Sequence, residues 1–274
     1  MTVVDNLAPA TAPSAAYWRR REEIAALAAG LAAEPAEIDY LDAENRTWAS
    51  VASALAPRWE RVAASEVIDA RDRLGLPTDR VPQLREVDER LAAITGFRFR
   101  GVDGILPADE FFGALSVRVF PSTQYLRWEG DPFYTPEPDV VHEVIGHANC
   151  LACPELAELH RVAGDAVGRV ERPESVQALA DVFWFTVEFG VVLQRGRWRA
   201  YGAGLLSSPG ELDWYDHGAE IRPLGVAGMV STAYDIHRYQ PVLFGARSLT
   251  EVVDVVGGFY ETATDGRIER LLAA

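Results

Sequence analysis

The sequence predicts a mainly α fold with a small β component, an α+β protein folded as one domain. Three observations carry this. Apolar residues recur at helical spacing through most of the first third of the chain, in stretches closed by proline or glycine. Alternation with period two is confined to short runs after residue 96. No internal repeat and no linker divides the 274 residues, a length that buries a substantial core.

Taken in order, residues 1–16 are rich in Ala, Pro and small polar residues and are expected to be a disordered tail, without the basic start and apolar core of a signal peptide. A helix over 15–33 follows, with Tyr17, Ile24, Leu27 and Leu31 on one face, stopped by Pro35. Helices are predicted over 43–56, bounded by Pro57; over 58–74, stopped by Gly75 and Pro77; and over 84–95, stopped by Gly96. Residues 97–100, 117–120 and 125–128 read as short strands of one small sheet, with a helical turn over 109–115 between them. Helices over 154–167 and 173–193, a loop over 202–210, a few short strands or turns, and a helix over 249–263 complete the chain.

Hydrophobic residues make up 49% and charged residues 24%, ordinary for a globular protein. All 26 basic residues are arginine, against 41 Asp and Glu, for a formal charge of −15. Such a surface repels phosphate backbones and anionic lipid, which argues against nucleic-acid and membrane partners. Without lysine there is no Schiff-base chemistry and no Walker-type phosphate site. Two cysteines three apart do not make a disulfide framework, so a cytoplasmic location is expected.

The chemistry concentrates in YTPEPDVVHEVIGHANCLAC, residues 134–153. Pro136 and Pro138 hold the preceding residues out of the α region, so a helix begins at about Pro138, with Asp139 in its first turn. His142 and His147 are metal-ligand candidates, with Glu143 beside the first. Zinc proteases place two histidines at i and i+4, but here the run is H-E-V-I-G-H. On a regular helix residues five apart point roughly 140° away from each other. For both to reach one ion, the helix must end or bulge in π fashion near Gly146. Two ordinary hydrogen-bonded histidines are the alternative.

Glu188 is the only ionisable residue in FWFTVEFGVV. A carboxylate in such surroundings costs several kcal/mol unless paired, either with an arginine or with a metal. Two histidines and a carboxylate would leave positions open for non-haem Fe(II) oxygen chemistry. Cys150 and Cys153 keep other readings open: a closed Cys/His zinc site, a redox dithiol, or simply two small buried residues. A zinc hydrolase with Glu143 as general base also stays open.

TPEPDVVHEVIGH, FWFTVEFG and AYGAGLLSSPGEL, with GFRFR, FPSTQYLR and RYQPV, occur in an order that resembles the catalytic domain of the pterin-dependent aromatic amino acid hydroxylases, most nearly the phenylalanine hydroxylases. The resemblance implies a single catalytic domain over 17–274, with no regulatory domain and no tetramerisation helix, and a monomer or dimer. It implies Fe(II), a tetrahydropterin and dioxygen as co-substrate, with His142, His147 and Glu188 as iron ligands and no side chain acting as nucleophile. It places the pterin against Gly104, Ile105, Leu106, Phe111, Glu143, Ala180 and Phe183. The amino-acid substrate falls against Arg127, Thr135, Pro138, Trp184, Phe189, Gly204, Ser207 and Ile236. Arg127 suits an α-carboxylate and the aromatic residues suit a ring.

The chain departs from the family pattern at Ala148 and Asn149, at Phe183 where animal members have tyrosine, and at Pro209. Trp184 resembles the phenylalanine and tyrosine enzymes, whereas Ile236 resembles the tryptophan enzymes. L-phenylalanine is the expected substrate, with para or meta hydroxylation left open and tryptophan as the alternative.

Overall fold

The computed structural model describes residues 12–30 and 34–273. The first helix, α1 (Ala15–Gly30), buries Ile24 and Ala28, while Leu27 points to solvent, and Leu31 lies outside the described residues. Of the expected tail, residues 1–11 are likewise outside them, residues 12–14 carry no regular structure, and the last two open α1.

Three helices build the next layer: α2 (Asp42–Val62), α3 (Ser65–Leu74) and α4 (Leu84–Ile94). The predicted break at Pro57 does not occur. Pro57 sits on the exposed side of α2, and Leu55, Trp59 and Val62 form an unbroken buried stripe. That burial outweighs the lost hydrogen bond. The break falls instead at Ala63 and Ala64, where extended backbone lets Ala64 N–H donate to the Ala200 carbonyl at 2.8 Å.

Strands β1 (Arg98–Gly101) and β2 (Val119–Ser122) pair in parallel across α5 (Ala108–Ser116). The third predicted strand, over 125–128, does not form. Its backbone is spent elsewhere: Arg127 N–H donates to the Asp139 carboxylate at 2.7 Å, and the Tyr125 carbonyl accepts from Val140 N–H at 2.9 Å.

A helix entered at Val140 becomes π-helical over His142–Ala148 and runs into α6 (Asn149–Leu151), then α7 (Pro154–Val167). Next come α8 (Pro173–Phe183), a second π-helical segment (Trp184–Glu188), β3 (Val191–Gln194) and β4 (Arg197–Ala200). The helix expected over 173–193 therefore ends early. Gly190 packs so tightly that a Cβ would lie 2.1 Å from the Tyr201 ring, and the valines beyond it join a sheet.

The expected loop over 202–210 holds α9 (Ala203–Leu206) and the start of α10 (Pro209–Gly218), capped by Ser208. The remainder is β5 (Glu220–Pro223), α11 (Val226–Val230), β6 (Val242–Ala246), α12 (Leu249–Val252), a third π-helical segment (Val253–Gly257), α13 (Gly258–Glu261) and α14 (Asp265–Leu272). The second sheet has the order β4-β3-β6-β5. One large apolar core runs from α2 to α14, with a satellite of Ile24, Ala36, Ile38 and Tyr125 beneath α1. No helix among the described residues is long and apolar enough to cross a membrane.

Candidate metal centre

Hydrogen bonding from i to i+5 stacks residues five apart one above the other. The π-helical segment at His142–Ala148 thereby turns His147 to the side of His142, and their Nε2 atoms lie 3.2 Å apart. Gly146 is what the site requires here. A Cβ at that position would lie 2.7 Å from the Ala203 carbonyl oxygen, so only glycine lets α9 pack onto the bulge.

The second π-helical segment delivers the third group. Glu188 Oε1 lies 3.0 Å from His147 Nε2, and Glu188 Oε2 lies 3.7 Å from His142 Nε2. Among the described residues these three form a cluster whose ligand atoms all lie within 4.8 Å of one another. Donors about 2.1 Å from one ion and at right angles would stand about 3 Å apart, so three neighbouring coordination positions fit this spacing. Arginine is not the partner of Glu188, whose neighbours are the two imidazoles.

The charge states suit ligation. Burial pushes His142 down to about 4, leaving a neutral imidazole near neutral pH. Burial works to raise the Glu188 carboxyl, but the His147 and His142 rings outweigh it and hold it down at about 2, so it is ionised. Glu143 goes the other way. Burial, with Glu188 and Asp139 nearby, lifts its carboxyl well above the ordinary range.

Around the triad, His142 Nδ1 is 3.1 Å from Ser207 Oγ, and Ser207 in turn donates to the Ala203 carbonyl at 2.8 Å. Asp139 sits one residue before the helix, not in its first turn. Its carboxylate accepts from His142 N–H at 3.1 Å and from Arg127 Nε and Nη2 at 2.9 and 2.7 Å. Both partners of this ion pair are buried, so it needs the fork geometry it has. Arg127 Nη1 makes only one 3.4 Å bond, to the Pro132 carbonyl, and is the guanidinium edge best able to take another acceptor.

The expected substrate residues Trp184 and Phe189 lie together, ring centroids 4.6 Å apart, and Tyr234 stacks on Trp184 at 4.5 Å and 13°. Gly204 backs Phe189, where a Cβ would come within 2.7 Å of the ring. Pro138 and Thr135 are half-buried in the segment before the helix; the Pro138 carbonyl accepts from the Thr123 hydroxyl, and Thr135 donates to the Glu137 carbonyl. Ile236, in the turn that follows Tyr234, is 59% exposed.

Of the expected pterin residues, Phe111 on α5 and Phe183 at the end of α8 meet edge to face at 6.0 Å, with Ala180 half-buried one turn earlier. Gly104, Ile105 and Leu106 lie in the connection between β1 and α5, where Ile105 is 72% exposed. Cys150 and Cys153 are buried and unbonded to each other; Cys150 Sγ faces the Tyr201 carbonyl and Cys153 Sγ faces Glu155, and neither joins the metal-ligand cluster.

Sequence reasoning did not single out Tyr234, Gln240 or His160. Gln240 ties the Asp235–Arg238 turn to Trp184, donating to the carbonyls of both turn residues and accepting from Trp184 Nε1 at 3.3 Å. His160 is fully buried 5.8 Å from the His147 ring. Its position on the buried stripe of α7 looks like any core position, and no local spacing ties it to His147.

Two imidazoles and one carboxylate converging inside a mainly helical domain are the donor set used by mononuclear non-haem iron oxygenases. The chain belongs to the biopterin-dependent aromatic amino acid hydroxylases, whose family model matches residues 4–266. It is thus an aromatic amino acid monooxygenase that works with iron and a tetrahydropterin. It is 46% identical over 260 residues to the phenylalanine 3-hydroxylase of Streptomyces coeruleorubidus, covering 94% of this chain and 93% of that protein. Human phenylalanine-4-hydroxylase is 36% identical over 231 residues, which cover 82% of this chain and 51% of the human protein. A crystal structure of Chromobacterium violaceum phenylalanine hydroxylase with bound iron(III) and 7,8-dihydrobiopterin superposes with a TM-score of 0.76 at 29% identity, covering 81% of this chain and 82% of that one.

Proposed function

We propose that this protein hydroxylates the ring of L-phenylalanine at the meta carbon. The observation that carries the choice of position is the 46% identity, along nearly the whole of both chains, to a phenylalanine 3-hydroxylase, against 36% to the human 4-hydroxylase.

His142, His147 and Glu188 would hold the iron, and iron with tetrahydropterin supplies the activation of dioxygen. This chain's own residues bind, orient and exclude water. Arg127, fixed by Asp139, offers Nη1 to the substrate carboxylate. Trp184 and Phe189 form an apolar wall for the ring, and Gly204 keeps that wall close to the helix turn behind it. Phe111 and Phe183, set edge to face, give apolar surface for a flat bicyclic ring, with Glu143 as a polar group for its ring atoms. Ser207 holds the His142 ring and with it the position of the iron relative to the substrate. Ile236, the residue that favoured tryptophan, points largely to solvent and weighs little. The two free, buried cysteines support work in a reducing compartment such as the cytosol.

The test is an aerobic incubation with Fe(II), a tetrahydropterin and the three aromatic amino acids, with products separated by position isomer. meta-Tyrosine from phenylalanine should dominate. Mostly para-tyrosine would overturn the position, and faster turnover of tryptophan would overturn the substrate.

A further inference from the structure

His147 reaches the triad through Nε2, which faces both Glu188 and His142. A neutral imidazole that ligates through Nε2 carries its proton on Nδ1, and that N–H needs an acceptor. His147 Nδ1 is buried and has no hydrogen-bond partner among the described residues. His160, on α7, presents the complementary group. Its Nδ1 lies 2.7 Å from the Leu156 carbonyl, which can only accept, so Nδ1 carries the proton and Nε2 bears the lone pair. That Nε2 is also buried and unpartnered. The two rings are neighbours, centroids 5.8 Å apart and 82° between planes, boxed in by Phe120 and Phe183. One buried donor and one buried acceptor are thus left unpaired on adjacent rings, each costly to leave unsatisfied.

We infer that His160 is a positioning residue for the metal centre: its Nε2 is the acceptor for the His147 Nδ1–H, reached through one bridging water, and so fixes the tautomer and rotation of that ligand. This rests on the reading of His142, His147 and Glu188 as ligands. An imidazole acceptor is a weaker base partner than a carboxylate but leaves the site's net charge unchanged. It therefore orients His147 without adding a further buried anion beside Glu188.

The probe is Co(II) alone, followed by its visible spectrum and by chelator competition on wild type, His147→Ala, His160→Phe and His160→Gln. Phenylalanine fills the space without an acceptor; glutamine returns a polar atom near the Nε2 position. His160→Phe should weaken Co(II) binding about 10–100-fold and change the visible spectrum, and His160→Gln should recover most of both. A His160→Phe protein that folds, by circular dichroism, and binds Co(II) with wild-type affinity and spectrum overturns the role of His160 alone. Equal binding by wild type and His147→Ala overturns the metal centre itself and this inference with it.

Nitrogen-15 NMR of the histidines in Zn(II)-loaded wild type tests the proposal without any variant. It should show His147 and His160 both protonated at Nδ1, with the His147 N–H protected from solvent exchange. A proton on His160 Nε2 would contradict it.

Discussion

The iron-facing half of the site and its solvent-facing rim are built differently. Around His142, His147 and Glu188, ligands come from two π-helical segments sealed beneath α7 and α9, and Ser207 and Asp139 anchor one of them by ring and backbone. At the rim, the connection bearing Ile105 and the turn bearing Ile236 expose their apolar side chains to water. The first region allows few side-chain choices and the second many. The buried half holds the metal-ligand cluster, while the rim leaves its apolar side chains free of packing.

This contrast can be tested from the inside outward. Asp139→Asn should have the largest effect on stability, because it leaves the Arg127 guanidinium buried with its counter-charge gone. A loss of about 3–5 kcal/mol is expected in urea unfolding, with a raised KM for the amino acid. Ser207→Ala should leave the fold standing and weaken Fe(II) binding about 10–100-fold in chelator competition, through lost control of the His142 ring.

Glu211, buried beside Gln240, is tested by pH. Burial pushes its carboxyl up to about 8, and its oxygens accept only long bonds from Gln240 N–H. Because the folded value lies above the unfolded one, the folded state holds a proton that the unfolded state releases. The stability this group contributes is whole below about pH 4.3 and is lost as pH rises toward 8. Glu211→Gln should flatten the fall of Tm across that window by up to one proton's worth. If the slope is unchanged, Glu211 titrates normally and the region around Gln240 is wetter than its packing indicates.

Least affected should be Ile105→Ala. At 72% exposure its removal should shift unfolding by no more than about 0.5 kcal/mol, with any change confined to the KM for the pterin. A destabilisation as large as that of Asp139→Asn would erase the distinction between core and rim.

Legibility in the sequence followed the same division. The HEVIGH spacing itself demanded a helix end or a π bulge, because five residues on a regular helix cannot bring two rings to one ion, and the bulge is there. Glu188 stood out because a lone carboxylate among aromatic residues has to be paid for by a partner. Most helices were legible from periodicity and their stops. What local pattern could not give were contacts between distant segments. Pro57 failed as a stop because of the stripe buried beneath it, residues 125–128 failed as a strand because Asp139 takes one of their N–H groups, and 190–194 left the helix to pair with distant β6. His160 was invisible for the same reason, since its link to His147 exists only across the packing of two helices.

The central claim is that His142, His147 and Glu188 hold the iron that couples pterin oxidation to ring hydroxylation. The most direct measurement follows tetrahydropterin consumption and hydroxylated amino acid together, in Fe(II)-reconstituted wild type and Glu188→Ala. Wild type should consume pterin in step with product, and Glu188→Ala should lose both bound iron and product. A Glu188→Ala protein that retained full coupled turnover would contradict the account.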